Sequence, residues 1–106
     1  MIEKRLIDPV RIRRPPVEGF SWVDRRFIRD CSETLGRDEI LLYLFLAAVS
    51  DKNGLSYWSD PKASTRLKLD PSAIGRAREE LVRWSLIAFA PPLTQVLSLP
   101  APKAWS

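Results

Sequence analysis

From Trp22 onward, apolar positions recur at helical spacing. Trp22, Val23, Phe27, Ile28 and Cys31 fall on one side, while Asp24, Arg25, Arg26, Arg29 and Asp30 fill the other. The pattern predicts an amphipathic helix over about 22–33. Gly36 ends the connection, and Asp38 stands where an N-cap belongs. Residues 40–49, Ile-Leu-Leu-Tyr-Leu-Phe-Leu-Ala-Ala-Val, are apolar on every side. A helix of that kind is surrounded by protein, so it is read as the core helix, with a dimer seam as an alternative cover for part of it. Asp51-Lys52-Asn53-Gly54 is turn chemistry, and Leu55-Ser56-Tyr57-Trp58 alternates as a short strand does.

Two Asp-Pro pairs follow, Asp60-Pro61 and Asp70-Pro71. Aspartate accepts hydrogen bonds from the free amides of a first turn, and proline in that turn forfeits no helical bond. Each pair therefore predicts a helix start. The first helix runs over about 61–67, Lys68-Leu69-Asp70 is a tight connection, and the second helix runs over about 71–84. Ile74, Ala77, Leu81 and Val82, with Trp84, form the buried stripe of the second helix. Ser72, Ala73, Gly75, Arg76, Glu79 and Arg83 lie toward the outside. Gly75 costs about 1 kcal/mol relative to alanine in a helix, so a close neighbour is expected there. Leu86–Ala90 and Leu93–Leu99 are strand-like runs separated by Pro91-Pro92. With 55–58 they predict a three-stranded antiparallel sheet in a mainly helical fold. Trp22, Trp58 and Trp84 fall on apolar stripes and are read as core anchors.

Residues 1–20 contain Pro9, Pro15 and Pro16 and read as an extended arm, with a short extended segment around Val10 and Ile12 as the alternative. The domain is placed at 21–99, and 100–106 is read as a loose tail. A chain of 106 residues has material for one core only.

Composition narrows the chemistry. The chain has no histidine, which removes histidine bases, triads and histidine-ligated metals. Cys31 is the single cysteine, so neither an internal disulfide nor a four-cysteine zinc site is available. The glycines stand apart at 19, 36, 54 and 75 and make no phosphate loop. No secretory signal is read in the first twenty residues, and the longest apolar run, 40–49, is too short for a bilayer. The expectation is a cytoplasmic protein without catalytic activity, metal or cofactor. Seventeen Lys and Arg against thirteen Asp and Glu leave a net charge of +4, and 12 of the cations are arginine, whose planar fork suits phosphates and base edges.

A short helix, a three-residue turn and a longer helix with a small, polar N-terminal face form a helix-turn-helix pattern. Residues 22–99 resemble a winged helix-turn-helix domain. The stretch Asp70-Pro71-Ser72-Ala73-Ile74-Gly75-Arg76-Ala77 is similar to the start of recognition helices in MarR-like and GntR-like regulators, and Glu80–Ile87 is similar to their exit into the wing. Small winged-helix proteins of plasmid replication and mobile elements are similar too. Ser85 stands where a glycine usually ends the recognition helix, and the Ala90-Pro91-Pro92 tip lacks the cation a wing usually carries.

The resemblance implies a double-stranded DNA-binding protein, a transcriptional regulator or an accessory factor of replication or mobile elements. Ser72, Ala73 and Arg76 are the expected base contacts, with Arg76 able to grip guanine bidentately. Ser64, Thr65, Arg66, Lys68, Arg78 and Arg83 are the expected phosphate contacts, with pairing to Glu79 and Glu80 the alternative for the last two. Arg11, Arg13 and Arg14 are placed as an arm following the minor groove, or as a solvated tail. A homodimer is expected, because one recognition helix reads few bases. The uncharged wing, Glu79, Glu80 and the small net charge support an alternative, a protein-interaction module on the same fold.

Overall fold

The fold is built around helix α1, Arg37–Val49, whose Leu42, Tyr43, Leu46 and Ala47 are buried. The computed structural model describes residues 3–100; the tail expected at 100–106 lies, from 101 on, outside them. Helix α2 covers Asp60–Leu67 and helix α3 covers Pro71–Arg83. Strands β1 (Leu55–Ser56), β2 (Ile87–Ala90) and β3 (Leu93–Val96) form an antiparallel sheet in the order β1-β3-β2. The register pairs Leu55 and Ala88 with opposite edges of Gln95, and Ala90 with Leu93 across the Pro91-Pro92 turn, whose peptide bond is cis. The core joins Phe27, Cys31, Leu42, Ile74, Leu81, Leu86 and Ile87, all nearly or fully buried. The architecture is mainly helical with a small antiparallel sheet.

The expected helix over 22–33 shortens to 25–31, whose last part is one wide turn, Phe27–Cys31, closed by the Ser32 amide donating to the Phe27 carbonyl at 3.0 Å. Asp24 causes the shortening. Its carboxylate accepts from the Arg26 amide at 2.9 Å, and its carbonyl accepts from the Phe27 amide at 2.9 Å, so the turn starts after it. Upstream, the Ser21 hydroxyl donates to the carbonyls of Ala48 and Ser50 and pins the chain across the end of α1. Trp22 is left 74% exposed, so it is no core anchor. Phe27 instead stacks on Tyr43, with ring centroids 3.9 Å apart. Trp58 sits half-buried, edge-on to Phe45 at 5.1 Å, and Trp84 packs half-buried against the core.

Helix starts also differ from expectation. Gly36, rather than Asp38, is the N-cap of α1; Asp38 and Glu39 occupy its first turn, where the helix dipole favours negative charge. Ser59 caps α2, its Oγ accepting from the Lys62 amide at 3.3 Å, and Asp60 is already helical. Asp70 holds the N-cap position of α3 without a side-chain capping bond. The sheet strand expected over 55–58 stops at Ser56, because Tyr57 and Trp58 lead directly into the Ser59 cap.

The turn before β1 is held from within. The Asp51 carboxylate accepts from the amides of Asn53 and Leu55 at 2.8 and 2.9 Å. Gly54 has φ +83°, and a Cβ there would lie 2.5 Å from the Val96 carbonyl oxygen, so the approach of β3 requires glycine. Residues 3–20 are exposed throughout; the arm carries only a short 3-10 turn, Pro9–Arg11, capped by Asp8. Among the described residues no helix is long and apolar enough to cross a membrane.

Candidate nucleic-acid interface

Helices α2 and α3 meet through Lys68-Leu69-Asp70. Lys68 adopts a left-handed conformation (φ 61°), and its amide donates back to the Ser64 carbonyl at 2.9 Å, closing α2. The amphipathic pattern of α3 turns Ala73, Ile74, Ala77 and Leu81 inward. Ser72, Arg76 and Glu79 are exposed at intervals of four and three residues, with Gly75 half-exposed beside them.

The expected base contacts divide. Ser72 and Arg76 are open to solvent, and Arg76 forms no ion pair among the described residues. Ala73 is only 8% exposed, so its assignment as a base contact is corrected. It lies one residue off the exposed stripe and packs toward α1. The neighbour expected at Gly75 is also not found: among the described residues nothing lies within 4 Å of the position a Cβ would take.

The expected phosphate contacts divide as well. Arg66 and Lys68 are exposed, and the Arg66 guanidinium sits over the Trp58 ring at 5.7 Å. Thr65 is exposed, with its hydroxyl donating to the Pro61 carbonyl at 3.0 Å. Ser64 is half-buried and spends its hydroxyl proton on the Leu69 carbonyl, which holds the turn between the helices. Arg83 is exposed, 3.5 Å from Glu80 and over the Trp84 ring at 5.8 Å. Arg78 departs from its expected role. Its side chain is 16% exposed, paired with Asp60, and stacked over the Phe89 ring at 4.3 Å. A largely buried cation already paired with a carboxylate is not presented to a phosphate.

Local charge is mixed. A shallow concavity of about 480 Å³ between α1 and α3 is lined by Arg76 with Asp38, Glu39, Glu79 and Glu80, over a floor of Ala73 and Ala77. Lys62, absent from the expected contacts, is exposed in the first turn of α2. Its position becomes apparent once Ser59 rather than Asp60 is seen to cap that helix. The hairpin tip, Ala90-Pro91-Pro92-Leu93, is exposed and uncharged. Arg11, Arg13 and Arg14 are exposed on the arm.

Elsewhere, a cavity of about 700 Å³ lies between the chain at Phe20–Asp24, the end of α1 and the end of β3. Arg26 bonds to Asp24 at 2.7 Å and holds that carboxyl below its ordinary range. Burial pushes the Cys31 thiol up and the Tyr43 hydroxyl up to about 12. Among the described residues no group of three or more Cys, Asp or Glu side chains is placed to hold a metal ion. No family model, curated protein or solved structure matches the chain.

Proposed function

We propose that the chain is a winged helix-turn-helix protein that binds double-stranded DNA without catalysis, acting in the cytoplasm as a transcriptional regulator or an accessory factor of replication or mobile elements. The observation that carries this reading is the outward face of α3. Ser72 and Arg76 project from its first two turns, uncovered by the hairpin or the arm, and the exposed cations of α2 and its turn lie on the neighbouring element. A helix presented in this way enters a major groove with its N-terminal residues at the base edges.

Arg76 is the proposed guanine contact and Ser72 its polar neighbour. Thr65, Arg66, Lys68 and Arg83 are the proposed phosphate contacts, and Arg11, Arg13 and Arg14 extend the footprint from the arm. Two copies reading related half-sites supply the affinity that one short helix lacks.

Titration against a duplex pool over a salt series tests the reading. The expected result is affinity that falls steeply with salt, by about 0.9 log units per tenfold salt for each phosphate contact. Binding that is absent at low salt, or indifferent to salt, overturns it. A second reading, a protein-interaction module, is favoured by the uncharged hairpin tip and the carboxylates around Arg76. Under that reading R76A leaves duplex binding unchanged.

A further inference from the structure

Resting on the DNA-binding reading, we propose that Arg78 is a positioning residue: it clamps α2, α3 and the β2–β3 hairpin into one unit presented to the duplex, without touching a phosphate itself. Arg78 rises from the middle of α3. Its Nη2 donates to Asp60 Oδ1 and its Nη1 to Asp60 Oδ2 at 3.4 Å, which ties it to the first residue of α2. The Cζ of the same guanidinium lies over the ring of Phe89 in β2, 4.3 Å from its centroid.

Helix α2 and strand β2 each pack on α3, so this one side chain links two elements through a third. A forked guanidinium can pair with a carboxylate through two nitrogens while lying over an aromatic ring. The hairpin has no cation at its tip, so its contribution to binding is where it holds α3 and what it shields.

The clamp is separable from a phosphate contact because the two respond oppositely to loss of Asp60. Removing that carboxylate frees a cation and raises the net charge, which strengthens an electrostatic contact. Removing it from a clamp weakens binding against the electrostatic trend. The test measures duplex affinity across a salt series for wild type, R78M, D60N and R78K, at a temperature where circular dichroism shows every variant fully folded.

R78M and D60N are expected to bind about tenfold more weakly with the salt slope unchanged. R78K, which keeps the charge but loses the stacked fork, falls between. A slope reduced by about 0.9 in R78M with tighter binding in D60N makes Arg78 a phosphate contact and overturns the clamp. Wild-type affinity in all the folded variants reduces Arg78 to a structural role and also overturns it. A wild-type chain that binds no duplex at low salt instead removes the DNA reading on which the clamp rests.

Discussion

Ser85 has φ +58°, in the left-handed region where an L side chain is strained. The resemblance places a glycine at that point, and the backbone conformation is the one glycine adopts freely. S85G is therefore expected to stabilise the fold by about 1 kcal/mol, read as a rise in Tm. G75A is expected to stabilise by a similar amount, since the added methyl meets nothing among the described residues and helix propensity favours alanine. On the DNA reading the same methyl stands on the contacting face, so G75A weakens duplex binding while raising Tm. Tyr43 gives a pH signature. Its folded pKa, about 12, lies above the ordinary value of 10 because burial disfavours the phenolate. The stabilisation is fully present below pH 10 and is lost as pH rises toward 12. Between those limits the wild type should lose on the order of 2 kcal/mol more stability than Y43F, measured by denaturant titration at each pH.

At the scale of elements, the two Asp-Pro pairs look alike in sequence but are used differently. Ser59 makes the capping bond of α2, whereas Asp70 makes none for α3. S59A is thus expected to cost about 1 kcal/mol and D70A less, only the few tenths that its charge contributes at the helix start, by chemical denaturation. Both helices were legible because proline and the apolar period agree on where they lie. The residue that caps α2 was not, because Ser59 directly before Asp60 offers the backbone two equivalent acceptors. The pattern at 22–33 predicts a longer helix than forms. Five apolar residues share its spacing, but only Phe27 and Cys31, four apart, reach the core, and Asp24 ends the coil ahead of them. The Arg78–Asp60–Phe89 contact had no local signal, since its members are 18 and 11 positions apart and meet only through the packing of three elements.

The whole molecule is wider than its core. A compact chain of this length has a radius of gyration of about 13 Å, against 15.7 Å here, and residues 3–20 are exposed throughout. Deleting residues 1–19 should leave Tm unchanged, because the chain is anchored from Ser21 onward. The same deletion should lower duplex affinity and flatten its salt dependence by about 0.9 for each arm arginine that meets a phosphate. One property of the assembled molecule comes from Cys31. It is the only thiol in the chain, it is 2% exposed, and burial keeps it protonated. While it stays buried, it offers no exposed thiol from which a disulfide between two copies could form. Any pair they form is therefore expected to be the same under air as under a reductant, read by sedimentation in both.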